Sequence, residues 1–202
     1  MPESSPQQPF QVSRRTAVIF LLAASLLVLL NLLLLRQNRL LKSELAGLSP
    51  PEISVGTVLP PMRGTNLKGE EVTINYKQDN RKTLLIVFAP DCPVCNASGS
   101  KWKKLIKAMD EEKFSVMAVS LVPEGTSDYV NRHDLSTIPV LARIRPEDRA
   151  AYKLAQVPQL LLIEQSGKVE KVWTGAIRGT MSEEMQKSLG VEVGTISESP
   201  AD

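Results

Sequence analysis

Cysteine and histidine are scarce in this chain of 202 residues, which holds two cysteines, Cys92 and Cys95, and one histidine, His133. A zinc site takes four ligands, so one CxxC and one histidine leave a metal short of a full set unless two chains share it. Charge of one sign is missing as well: 24 Lys and Arg stand against 22 Asp and Glu, a net +2, and both signs are mixed along the chain. That leaves no basic patch of the kind that holds nucleic acid. No internal repeat is present. From Thr16 to Leu35 there is no charge at all, and only Thr16, Ser25 and Asn31 interrupt the apolar side chains.

That apolar run has the length of a membrane span. At about 1.5 Å per helical residue it covers roughly 30 Å, the thickness of a hydrocarbon core. A cleaved signal peptide would share the basic Arg14 and Arg15 in front of it, but this run is too long for an h-region and ends in leucines and "RQNRLLK" with no small-residue cleavage site. The expectation is an uncleaved signal anchor. Arg14 and Arg15 on one side and Arg36, Arg39 and Lys42 on the other leave the orientation unsettled by charge. "SRR" at Ser13 to Arg15 has the look of a twin-arginine signal, but the residues after it match poorly.

The expected organisation is an N-terminal tail over residues 1–15, rich in Pro, Ser and Gln, then the anchor at 16–35. A juxtamembrane helix and linker follow at 36–51, ending at Gly47 and "SPP". The soluble domain takes 52–190 and a C-terminal tail 191–202. Within the domain, "EEVTINY" alternates after the turn "NLKG", and "TLLIVFA" (83–89) is a continuous apolar run that suits a strand buried on both faces. A helix is expected from Pro93 to about Met109, with Val94, Ala97, Trp102, Leu105, Ile106 and Met109 near a 3.6-residue period. "FSVMAVSLV" reads as a second buried strand, "TSDYVNRHDL" as a short helix, and "RPEDRAAYKLA" as a helix opening on Pro146. "VPQLLLIEQSGKVEKVWTGA" is a hairpin, and Thr180 and Glu183 have the spacing of a capping box for a last helix. The alternation predicts an α/β fold, a mixed sheet with helices on both faces.

The two cysteines come directly after the apolar strand. Cys92 then stands at the N-terminus of a helix opening on Pro93, where free backbone N–H groups and the macrodipole favour an anion. A thiolate is the reactive form of cysteine, so Cys92 suits an attacking thiol and Cys95, one turn inward, a resolving one. A metal half-site and two inert buried thiols are the competing readings. A structural disulfide over so small a loop would add little stability. The sequon "NAS" at Asn96 to Ser98 sits on the same helix, where a glycan would obstruct the site.

"LLIVFAPDCPVC", followed after an extra segment by "VPQLLLIEQSGKVEKVWTGA", resembles the thioredoxin fold. With the early hairpin "VGTVLPPMRGTNLKGEEVTI", the segment "IPVLARIRPEDRAAYKLAQVP" and one N-terminal span, the chain is similar to the membrane-anchored, extracytoplasmic proteins of the ResA/TlpA family, and in its CPVC and layout to the MauD maturation proteins. The resemblance covers roughly Val55 to Leu189. It implies a redox-active Cys92–Cys95 disulfide with no other cofactor and no metal, Cys92 as exposed nucleophile, Cys95 as buried resolving thiol, and Pro158 as a cis-proline in a Val157–Pro158 bond. It also implies thiol and disulfide clients among exported proteins, a membrane electron donor, and a single-pass protein with its soluble domain on the periplasmic side.

Several positions depart from that family. Ile86 stands where many thioredoxins carry a buried Asp, and Ser98 where ResA-like proteins often carry an acid, so neither proton acceptor for the resolving thiol is visible. Asp91 replaces the Trp that commonly precedes the first cysteine. Its carboxylate opposes an anion on Cys92, and destabilising the reduced thiolate shifts the couple toward reducing potential. Pro93-Val94 lacks the histidine of strong oxidants. These features favour a reductant or isomerase. A MauD-type maturation scaffold without redox turnover is an alternative. A peroxiredoxin-like peroxidase is another, although Ala89 and Leu85 stand where that motif wants a hydroxyl and a proline.

Overall fold

The computed structural model describes residues 14–48, 52–78, 80–192 and 194–196. The expected tail before Arg14, the linker at 49–51 and the last six residues lie outside them. The chain divides into two units, Met1–Ser49 and Pro50–Asp202. The first holds one helix, α1 (Arg14–Leu48), which runs unbroken through the apolar segment and past Gly47. Its stretch Ala17–Leu40, 24 residues that include an 18-residue window with a mean hydropathy of 2.9, is long and apolar enough to cross a membrane.

The second unit is built on a seven-stranded mixed sheet. Its strands are β1 (Met62–Asn66), β2 (Glu71–Ile74), β3 (Lys82–Phe88), β4 (Phe114–Ser120), β5 (Val140–Ile144), β6 (Gln159–Ile163) and β7 (Val169–Thr174). They lie in the order β2-β1-β5-β4-β3-β6-β7. β3, β4 and β5 are parallel, while β6 pairs antiparallel with β3, and the β1–β2 hairpin is added antiparallel to β5. Among the described residues the unit's α-helices are α2 (Pro93–Ala108), α3 (Thr126–Arg132), α4 (Pro146–Ala151) and α5 (Gly179–Ser188).

β3 shows why a continuous apolar run means a central strand. Leu84, Ile86 and Phe88 face one core with Trp102 and Leu105 of α2, Tyr129 and Val130 of α3 and Met185 of α5. Leu85 and Val87 face the other, with Met62, Ile74, Tyr76, Tyr152 and Leu154. Both faces are dry, so every position of the strand from Thr83 on is buried. The early hairpin is fixed to α4 by Asp148, whose carboxylate accepts the Arg63 backbone N–H at 2.8 Å and its guanidinium at 3.0 Å.

Four local expectations differ from the structure. Tyr76, the last residue of the alternating "EEVTINY", is buried but in a 3-10 turn, Tyr76–Gln78, after β2 has ended at Ile74. The buried face of α2 is Cys95, Ser98, Gly99, Trp102 and Leu105, so Val94 and Ala97 are exposed. Helix α5 starts one residue before Thr180, with Arg178 at the N-cap and no side-chain cap, so the Thr180 and Glu183 pair forms no capping box. The packed body also continues past residue 190: Val191 and Ile196 are buried in the first core, and Gln186 Oε1 accepts the N–H groups of Gly194 and Ile196.

Candidate active site

β3 delivers the chain to the two cysteines. After Phe88 the backbone turns through Pro90 and Asp91, with the Cys92 N–H donating to the Ala89 carbonyl at 3.2 Å. Cys92 is the N-cap of α2 in an extended conformation, and Pro93 occupies the first helical position, where its missing N–H costs nothing. The Cys92 sulfur accepts the Cys95 N–H at 3.1 Å. A cysteine thus does the capping that Ser or Asp usually does, which puts its sulfur on the positive end of the helix dipole.

The other wall of the site comes from the segment that leads into β6. Val157–Pro158 is a cis peptide, and the Cys92 thiol points at the Val157 carbonyl, 3.8 Å away. Pro158 is buried and its carbonyl accepts the Gly175 N–H at 2.8 Å, while Val157 is half-buried against both cores. Cys92 is partly exposed and Cys95 is fully buried, both as free thiols. Burial, with the neighbouring Cys92 next in weight, pushes the Cys95 thiol up to about 12. Asp91, Pro93 and Val94 are exposed around the mouth. Pro90, Asp91, Glu124, Asp128 and Arg132 line a cleft of about 400 Å³ beside it. A larger cleft of about 700 Å³, lined by Val72, Ile74, Met117 and Leu141 among others, includes neither cysteine.

The two proton-acceptor positions are closed by geometry. Ile86 is buried in the same core as Cys95. Ser98 is buried too, and its hydroxyl donates to the Val94 carbonyl at 2.7 Å. Both lie inside, and neither offers a base to the Cys95 thiol.

Three residues outside the sequence expectation hold the first turn of α2. Tyr129 on α3 donates its hydroxyl to the Cys95 carbonyl at 2.7 Å and stacks on Phe88 with ring centroids 4.6 Å apart. Asn96 donates its amide nitrogen to the carbonyls of Pro90 at 3.1 Å and Cys92 at 3.0 Å. Its amide oxygen meets His133 Nε2 at 3.2 Å, and the His133 ring lies 4.4 Å from that of Tyr129. One face of α3 and its cap residue therefore clamp the loop that carries Cys92. Only Tyr129 and His133, four residues apart, hinted at this in the sequence, because Asn96 reads as a polar helix residue.

Gly99 makes room for the clamp. A Cβ at this position would sit 2.0 Å from His133 Nδ1, so the ring must move before any other residue fits. Gly99→Ala is expected to lower stability by about 1–3 kcal/mol, as an overpacked contact does, in urea unfolding of the reduced protein. An unchanged midpoint would mean that the His133 ring is not seated on α2.

The sequence matches the AhpC/TSA family over residues 55–172, more than half of the chain. The chain belongs to the AhpC/TSA family. The matched stretch of this AhpC/TSA protein runs from before the early hairpin into β7 and takes in both cysteines and Pro158. Sporulation thiol-disulfide oxidoreductase A of Bacillus subtilis is 23% identical over 114 residues, covering 54% of this chain and 67% of that protein. Among solved structures, a putative thiol:disulfide interchange protein DsbE from Chlorobium tepidum superposes with a TM-score of 0.57 at 18% identity, over 72% of this chain and 100% of the other. The thioredoxin domain of a thiol-disulfide oxidoreductase from Bacteroides vulgatus gives 0.54 at 19% identity, over 68% and 99%. These likenesses identify the second unit as a thioredoxin-like fold. Two of these proteins are named thiol-disulfide oxidoreductases and the third a putative thiol:disulfide interchange protein.

Proposed function

We propose that this AhpC/TSA protein is a thiol:disulfide oxidoreductase, tethered to a membrane by α1, with its domain on the periplasmic side. The observation that carries the activity is the placement of the Cys92 sulfur. It caps α2, faces the Val157 carbonyl and has Cys95 one turn inside. In the reducing direction the Cys92 thiolate attacks one sulfur of a client disulfide, a mixed disulfide forms and the first client thiolate leaves. Cys95 then loses its proton and attacks the Cys92 sulfur. The second client thiolate leaves, the client has gained two electrons, and the enzyme holds a Cys92–Cys95 disulfide. A membrane electron donor returns the pair to dithiol.

Asp91 supports the reducing direction, because its exposed carboxylate precedes Cys92 in the chain and its charge is one of the influences that hold the Cys95 thiol up, against the reduced anion. The two-electron midpoint of the full chain in detergent, titrated against dithiothreitol, is expected near or below about −250 mV, close to thioredoxin. A value near about −120 mV, as in a strong oxidant, would reverse the direction. No two-electron transition would leave the maturation scaffold as the better account. A peroxidase is disfavoured, since Ala89 contributes only its carbonyl to Cys92 and Leu85 is buried within β3. Hydrogen peroxide consumption at the rate of disulfide turnover would restore it.

The side of the membrane is tested in intact cells. A membrane-impermeant maleimide is expected to label Cys92 without lysis, the half-buried thiol reacting and the buried Cys95 not. Labelling only after lysis would put the domain in the cytoplasm. Tethering near membrane partners raises the effective concentration for exchange without any new contact.

A further inference from the structure

We infer that α1 pairs with α1 of a second copy of this chain, through a seam marked by Asn31. The inference rests on the reading of α1 as a membrane span. The leucines do not select a face, because they lie all round the helix. The polar residues do. Ser25 donates its hydroxyl to the Leu21 carbonyl at 2.8 Å and so spends its one hydrogen inside its own helix. Asn31 donates one amide hydrogen to the Leu27 carbonyl at 2.9 Å. Its second amide hydrogen and its Oδ1 have no partner among the described residues, and no residue of the span's most apolar window is buried. Counted along the uncharged run 16–35, Asn31 lies about 8 Å from the middle of the span at 1.5 Å per residue, inside the roughly 15 Å half-thickness of the hydrocarbon core. Water does not reach that depth, and hydrocarbon accepts no hydrogen bond.

An identical helix meets that need better than an unrelated one. A side-chain amide is both donor and acceptor, so two copies related by a two-fold axis satisfy each other, Nδ2–H to Oδ1. The spacing agrees. Asn38 follows Asn31 by seven residues, Ala24 and Ala17 precede it at the same interval, and Phe20, Leu27 and Leu34 hold the alternate positions. This is an a/d seam with small residues and asparagine at a and mostly leucine at d, the pattern that brings parallel helices together and fixes their register. Leu41 and Leu48 continue the d interval in sequence to the end of α1. Ser25 lies one position off the seam.

The test is sedimentation equilibrium of the full chain in density-matched neutral detergent under dithiothreitol, which prevents linkage through the redox cysteines. The wild type is expected to be a dimer. Asn31→Leu is expected to weaken association by about tenfold, Asn31→Gln to retain most of it, and Ser25→Leu to leave it unchanged. A monomeric wild type, or Asn31→Leu as tightly associated as wild type, overturns the inference. The same preparations are washed with alkaline carbonate while still in membranes. A chain that resists extraction but sediments as a monomer loses the pairing and keeps the anchor. A chain released by carbonate loses both.

Discussion

Replacing Cys95 by Ser is expected to stop disulfide turnover, by at least about a hundredfold, and to leave a stable mixed disulfide between Cys92 and the client. The first attack needs only the capping thiol, whose surroundings the substitution leaves in place: the residue 95 N–H still points at the Cys92 sulfur, and the Val157 carbonyl still faces it. The second attack needs a sulfur at 95, and serine has none to offer. Removing one member of a group that acts as a unit costs nearly as much as removing all of it. Mass spectrometry of the reaction with glutathione disulfide reads the adduct directly. Cys92→Ser should give neither turnover nor adduct. Turnover that survives in Cys95→Ser would mean that clients resolve their own mixed disulfides and that the protein acts through Cys92 alone. A client-maturation phenotype intact in both variants would favour the scaffold.

Resolution by Cys95 is expected to be steeply pH-dependent. Burial, the leading cause, holds this thiol up at about 12, and burial persists once Cys92 is tied up in a mixed disulfide, although the contribution of the Cys92 charge does not. The thiolate is the nucleophile, so while the pH stays well below that value its fraction rises tenfold per unit. Decay of the mixed disulfide should therefore quicken by roughly a hundredfold between pH 6 and pH 8, followed by rapid quench in single-turnover reactions. A plateau below pH 8 would reveal a base that lowers the barrier to deprotonation. Ile86 and the hydroxyl of Ser98, committed to Val94, are not that base.

The parts of the fold written in hydrophobicity were legible. β3 announced two-sided burial with an unbroken apolar run, and the β6–β7 hairpin announced itself by two such runs around a turn. Where packing depends on the lack of a side chain, the signal reverses. Ser98 and Gly99 are both buried, Gly99 because His133 comes close, yet neither is apolar, so the sequence periodicity of α2 pointed to Val94 and Ala97. The capping-box spacing at Thr180 was present, but the chain enters α5 from Arg178, a turn geometry that spacing alone does not encode. Val191 and Ile196 looked like a tail because the segment is short and polar around them, and their burial depends on Gln186 holding the backbone of Gly194 and Ile196.

The strand-to-helix position of the two cysteines was legible, and their surroundings were not. A CxxC after an apolar strand fixes its own place in the fold, since the strand must end where the helix begins. The clamp of Tyr129, Asn96 and His133 joins residues far apart in the chain, and its hydrogen bonds run to backbone carbonyls whose positions exist only after folding.

The side-chain nitrogen of Asn96 has a practical bearing on how the protein is made. A glycosyltransferase needs that nitrogen free, yet here both of its hydrogens are committed to the carbonyls of Pro90 and Cys92. Folding and sugar attachment are therefore mutually exclusive at this sequon. In a secretory host that modifies chains as they emerge, the enzyme that arrives first decides, and every molecule it reaches carries a glycan wedged under the loop of its own nucleophile. Production belongs in a host without that machinery. Otherwise it calls for Ser98→Ala, which erases the sequon at the expense of one hydrogen bond to Val94.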